Sequence, residues 1–328
     1  RRGDLRLRPA TGPKNKQTLW QFYKQALLDA QQILDGTRET RAASASICNN
    51  CHWYSTCREA VIAADDLTQI AELGRSRRDA MVDDIPSVQV LAETNADAFI
   101  VGKKTRFSGI GPDTLRKFQA RAQLLKTPNA QPFLTQPIKL PVSERELHFD
   151  IEDDPMRDIV YLHGIVVRDP KLPEPNFISF VAESPTPEAE KSAFAQATAF
   201  FREAADAKVY VYSTHERTKY RKLQQRYPDV ATADEIEALF DPARTVDLYA
   251  VVRSSVEFPT WNKSLKTLAK YLGFQWRDTN PSGAASIEWY HRFIETNDPA
   301  ILDRILIYNE DDCRAMIVLL DAIREMNQ

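Results

Sequence analysis

At 328 residues, with 43% hydrophobic and 27% charged residues, the chain is long enough for two or three domains with a sizeable core. Its longest apolar runs, such as residues 315–320, are far too short to span a bilayer, so no membrane partner is expected. The formal net charge of −3 does not exclude nucleic acid, because binding depends on where the positive charge is placed.

No charged segment followed by an apolar stretch opens the chain, so a secretory signal is not expected, and the start at Arg1-Arg2-Gly3 points to a longer parent protein. Residues 4–8 alternate as a short strand would. Leu19, Phe22, Tyr23, Ala26, Leu27, Ala30 and Ile33 then make one helical stripe. Cys48-Asn49-Asn50-Cys51 sets two thiolates on a tight turn, with Cys57 six positions on, a spacing that suits zinc or an iron–sulfur cluster. Three of the four cysteines fall within ten positions, which speaks for metal ligation in a reducing, cytoplasmic compartment, with free structural thiols as the alternative. This group resembles the C-terminal cysteines of RecB-like nucleases that hold a [4Fe–4S] cluster. That family's fourth cysteine lies upstream, whereas here the fourth is Cys313. The resemblance therefore implies that residues 1–64 are the end of a RecB-like module, with the PD-(D/E)xK core absent and the cluster incomplete.

Residues 65–127 read as helical and locally basic. Gly109-Ile110-Gly111 followed by Pro112 has the form of the hairpin in a helix-hairpin-helix, where glycines let backbone N–H groups approach a phosphate. Lys103, Lys104 and Arg106 would add phosphate contacts without base readout; a solvated basic face is the alternative. Prolines mark residues 128–140 as an extended linker. Strands are expected over 145–152, 159–167, 176–182 and 208–212, with a helix over 187–205, turns at 153–155 and 169–170, and an almost wholly helical end from Ser264. This order is that of a ribonuclease H-like α/β domain over residues 141–328, a central mixed sheet flanked by helices, preceded by the all-α region.

Phe149-Asp150-Ile151-Glu152 puts two carboxylates on one face of a strand. Two acids so placed repel unless a cation lies between them, and hard oxygen ligands favour Mg²⁺ or Mn²⁺. Alone the pair is weak, since most such pairs are solvated strand ends. It gains weight from Tyr212-x-x-x-Glu216, Ser264-Leu265-Lys266 and Tyr308-Asn309-Glu310-Asp311-Asp312, read together as one metal-dependent nuclease site. Tyr308 and Asp312 share a helical face, and Asp311 should face away. Glu216 is either a metal ligand or a solvated acid favoured by the start of its helix. Asp247 reads as a capping residue, and His148 and His215 as structural or solvated.

The region resembles the DEDD group of 3′–5′ exonucleases. More narrowly it resembles exonuclease domains that follow RecB-like and helix-hairpin-helix elements in one polypeptide. The resemblance implies two Mg²⁺ or Mn²⁺ ions held by Asp150, Glu152, Glu216 (where most of the group has Asp) and Asp312. It also implies the tyrosine version of the last motif, with Tyr308 orienting the attacking water. Asp247-Leu248-Tyr249 and residues 264–273 resemble the stretches before that motif, and Lys266 is expected to contact nucleic acid. The expected partner is nucleic acid, DNA before RNA, with a helicase as a candidate supplier of the strand and DNA repair or defence as the setting. Two rivals stand beside this reading, a decayed nuclease serving as a binding scaffold and a zinc-stabilised interaction domain built on Cys48, Cys51 and Cys57. Since structural sites normally need four ligands, the chain alone should bind iron or zinc poorly. Metal analysis and a visible spectrum of fresh protein check this, and a stoichiometric brown species would show a fourth ligand.

Overall fold

The computed structural model describes residues 18–45, 48, 51, 53–279 and 282–327. The expected strand at 4–8 and His52 lie outside them. Helix α1 (Leu19–Leu34) starts at a reciprocal cap in which Thr18 and Gln21 satisfy each other's backbone N–H. The predicted stripe is present, yet no residue of α1 is buried. Helices α2 (Tyr54–Ala63), α3 (Gly74–Met81) and α4 (Val88–Glu93) follow. A two-strand hairpin, β1 (Ile100–Val101) and β2 (Lys104–Thr105), then leads to α5 (Pro112–Lys126). Leu67, Met81, Ile85, Leu91, Leu115 and Phe118 form the core of this helical part. Gly109 takes φ +73°, Ile110 is buried, and Gly111 caps α5 with Pro112 in its first turn.

Strand β3 (Phe133–Leu134), inside the proline-rich stretch, pairs antiparallel with β9 (Val256–Glu257). Between them run β4 (Glu146–Asp154), β5 (Ile159–Arg168), β6 (Asn176–Val181), α6 (Pro187–Glu203), β7 (Lys208–Val211), α7 (His215–Arg226), α8 (Ala233–Leu239), β8 (Thr245–Asp247) and α9 (Leu248–Ser255). Helices α10 (Leu265–Tyr271), α11 (Gly283–Thr296) and α12 (Pro299–Met326) complete the described chain. The sheet order is β6-β5-β4-β7-β8, with β5 antiparallel to β4 and β6, and β7 parallel to β4 and β8. This mixed α/β architecture is the one expected of a ribonuclease H-like domain. Two local differences stand out. Asp153 and Asp154 continue β4 past a bulge instead of turning, and the three-residue β8 carried too few apolar residues to be seen.

Strand β4 alternates between two buried faces. Leu147, Phe149 and Ile151 enter a core with Phe194, Phe201, Tyr220 and Leu223. Glu146, His148, Asp150 and Glu152 lie on the opposite face, under α12. At one end Glu146 accepts from Arg324 of α12 at 2.5 Å and from Arg168, while His148 stacks on Tyr210. The turn before α12 uses Asn297 in the left-handed region, Asp298 as N-cap and Pro299 in the first turn.

A buried ion pair joins the helical part to the sheet domain. Arg121 of α5, 3% exposed, donates Nε and Nη2 to both oxygens of Glu257 at 2.9 and 2.8 Å. Its Nη1 reaches Ala71 O and Glu72. Lys263, also buried, lies 3.3 Å from Glu257.

Helix α12 can approach β5 only because residue 164 is glycine. A Cβ there would overlap the Asn309 carboxamide and meet the Phe177 ring at 3.0 Å. Gly164→Ala is expected to destabilise by about 1–3 kcal/mol, the usual cost of overfilling a close-packed interior. It should also push Asn309 off Asp150. A denaturant melt checks the first effect, and an unchanged midpoint would show that α12 yields freely.

Candidate active site

The acids of β4 meet those of α12 at one end of the sheet. Among the described residues, Asp150, Glu152 and Asp312 are the one group of three or more metal-capable side chains whose ligand atoms lie within 4.8 Å of one another. Glu152 and Asp312 are buried and Asp150 half-buried. Glu216 sits in the first turn of α7 and is 2% exposed, with its Oε2 buried and without a hydrogen-bond partner. The solvated alternative for Glu216 is thus excluded by its burial. Ser213, in the loop that delivers it, holds φ +111°, its N–H bound to Asp247 Oδ1 at 3.0 Å. Asp247 also caps α9, the role expected of it.

So many acids at one place shift one another. Burial first, then Glu152, Asp312 and Glu216, hold the Asp150 carboxyl well above the usual range. Burial and Asp312 push Glu152 up to about 8, and burial pushes Glu216 up to about 7. Positive and polar neighbours offset part of this. Lys266 Nζ donates to Tyr308 Oη at 2.8 Å and lies 3.1 and 3.2 Å from the two oxygens of Asp312. The indole Nε1 of Trp276 donates to Asp312 Oδ1 at 2.7 Å, and Asn309 Nδ2 donates to Asp150 Oδ2 at 2.8 Å. Tyr308 is buried, and its hydroxyl is held well above its ordinary pKa by burial and by Asp312. It therefore stays protonated.

Not every predicted residue comes to this place. Asp150, Glu152, Tyr308, Asp312 and Lys266 converge, with Glu216 close enough for its charge to act on Asp150. Asp311 faces away and is taken by the backbone and guanidinium of Arg277. His148 is fully buried and His215 pairs with Asp153 at 2.7 Å. Lys103 and Lys104 are exposed at the β1–β2 turn, while Arg106 pairs with Asp84 and lies over Phe99. Cys48 and Cys57 are half-buried on one cavity, Cys51 is exposed, and the three do not converge within the distance that gathers the acids. Cys313 is buried in α12, with Sγ 3.5 Å from Gly164 O.

Sequence reasoning missed Asn309, Trp276 and Gly164. Asn309 stood inside a quoted motif, and a lone glycine in an apolar strand signals close approach of another element. Nothing in sequence marked Trp276.

The donor set fits a hard divalent cation. It is all carboxylate oxygen, buried or half-buried and short of countercharge, and Glu216 nearby keeps a buried oxygen with no hydrogen-bond partner.

The family RNase_H_2, described as RNase_H superfamily, matches residues 147–324. Comparison with curated proteins gave no match, and neither did comparison with solved structures.

A pH test follows from the raised carboxyls. Where the folded pKa exceeds the unfolded one, the fold is favoured below the unfolded value near 4.5 and loses that advantage as pH rises toward about 8. In a chelator, Tm should fall by about 5 °C or more between pH 6 and 8.5. Added Mn²⁺ should restore most of the loss at pH 8.5 and do little at pH 6. Scanning calorimetry checks this, and a flat Tm in chelator would mean the charges are already balanced.

Proposed function

The chain belongs to the RNase_H superfamily and carries an RNase H-like nuclease domain, and from that premise we propose a metal-dependent 3′–5′ exonuclease of the tyrosine DEDD type. Its substrate is a nucleic-acid strand, single-stranded DNA before RNA. The observation that carries this reading is the convergence of Asp150, Glu152 and Asp312, with Glu216, whose buried Oε2 has no partner, close enough for its charge to act on Asp150. These four would hold two Mg²⁺ or Mn²⁺ ions. When bound, such ions lower the pKa of a coordinated water and stabilise the leaving oxygen of a phosphodiester.

The chain's own residues do the positioning. Asn309 and Trp276 fix the orientations of Asp150 and Asp312 through single hydrogen bonds. The protonated Tyr308 hydroxyl, held between Lys266 and Asp312, would orient an attacking water through a remaining lone pair. Lys266 brings a positive charge where a phosphate oxygen arrives. Glu216 has one methylene more than Asp, and from the first turn of α7 it would reach a metal directly or through water. A site kept this complete favours an active nuclease over a decayed scaffold. The four free cysteines suit a reducing, cytoplasmic setting. The exposed lysines before Gly109-Ile110-Gly111 suit phosphate contact. A RecB-like origin for the N-terminal part, DNA repair or defence as the setting, and supply of the strand by a helicase belong to the same proposal.

With Mn²⁺, a 5′-labelled strand should shorten stepwise, and a strand with a blocked 3′ end should persist. Asp150→Asn should lower turnover by on the order of 10²–10³-fold or more while keeping the fold and strand affinity. Glu216→Gln should lose activity by a similar factor, whereas Glu216→Asp should keep measurable Mn²⁺-favoured cleavage. Wild-type rates in clean Asp150→Asn protein would remove this site from the chemistry.

A further inference from the structure

A cleft of about 580 Å³ opens where the helical part meets the sheet domain, a size that suits a nucleotide-sized ligand (~300–1,000 Å³). One wall is Ile70, Ala71 and Gly74, ahead of and at the start of α3; the other carries Tyr212, Tyr249 and Trp261. All three rings are partly exposed. Tyr212 is fixed by donating its hydroxyl to Lys263 O at 2.5 Å, and Tyr249 stands edge-on to it at 5.6 Å. Trp261 is braced on one side by the Arg58 guanidinium, 4.1 Å from its ring centroid. These are rigid aromatic surfaces facing a space mostly lined by apolar atoms.

The position of the cleft says what enters it. Its wall includes Ser213, the residue at φ +111° three positions before Glu216, and Ser264, the N-cap two positions before Lys266. Segments that short span at most about 10 Å, so the cleft adjoins the acidic site. Its acid, Glu72, is answered by Arg121, Lys117 and Arg253, the last two exposed. The surroundings therefore do not repel a polyanion.

Resting on the nuclease reading above, we infer that this cleft holds an unpaired base of the substrate strand by stacking on Tyr249 and Trp261. A base inside a duplex has both faces covered by its neighbours and could not enter. The cleft would therefore make the enzyme prefer single strands, whether DNA or RNA, and would make the helical part a contributor to substrate binding.

The test uses the full chain carrying Asp150→Asn, so that strands bind without being cut. Affinity is read by fluorescence anisotropy on a labelled single-stranded oligodeoxynucleotide and on its ribonucleotide counterpart. Tyr249→Ala and Trp261→Ala should each weaken binding about 5- to 100-fold, the range that loss of one base–aromatic stack produces. Tyr249→Phe should stay within about twofold, since the ring is kept. An abasic residue moved along the strand should weaken binding at one position, and should cost less there in Tyr249→Ala, where one of the two stacks is already gone. Unchanged affinity in both alanine variants, or no sensitive position in the abasic scan, overturns the inference. Because the scan can be run on protein with both rings intact, misfolding of a variant cannot hide the answer. Failure of the nuclease reading looks different, with no Mn²⁺-dependent shortening of any strand by the unsubstituted protein.

Discussion

Strand β4 has a polar face that is buried, and α12 is the element that covers it. Glu146, His148, Asp150 and Glu152 all lie on that face, where an apolar helix would leave four polar groups without partners. Helix α12 answers at both ends. Arg324 meets Glu146, and Asn309 meets Asp150. Between them Cys313, Met316 and Leu320 fill the apolar space. The close approach this needs is granted by Gly164. The same contact therefore holds the domain together and brings Asp312 and Tyr308 against the acids of the strand.

The two ends of that face are balanced differently. Glu146 is well supplied with donors, and against the opposing effect of burial its carboxyl is held far below the usual range by His148, Arg324 and Arg168. Asp150 and Glu152 are under-supplied, with Lys266 the one cation described near them, and theirs are held above it. One strand thus carries a finished ion network and an unfinished one. On the nuclease reading the unfinished one is the functional end, since perturbed carboxyls cluster where a cation or substrate binds.

Much of this was legible in the sequence because period-two and period-four spacings carry direct geometric meaning. Asp150 and Glu152 had to share a strand face, and Tyr308 and Asp312 a helix face. The order of strands and helices pointed to the fold. Glu216 could be located only as far as the start of a helix, since burial depends on what packs over that turn. Asn309, Trp276 and Gly164 act across long sequence separations, on residues that spacing does not connect. The exposed stripe of α1 shows the opposite limit, as its period described a helix correctly and said nothing of what would cover it.

The Arg121–Glu257 pair bears on how portable the nuclease domain is. Glu257 was buried together with its partner, and a carboxylate freed of a buried guanidinium typically costs about 3–5 kcal/mol. Lys263 would remain beside it, but so would the desolvation of both groups. Transplanting residues 141–328 alone would therefore carry an open electrostatic wound at its margin. A graft that includes α5, or that replaces Glu257 and Lys263 by apolar residues, would heal it. The helical part thus supplies a partner to the nuclease domain's own interior, and a graft is complete only with that partner or without the charge it answers.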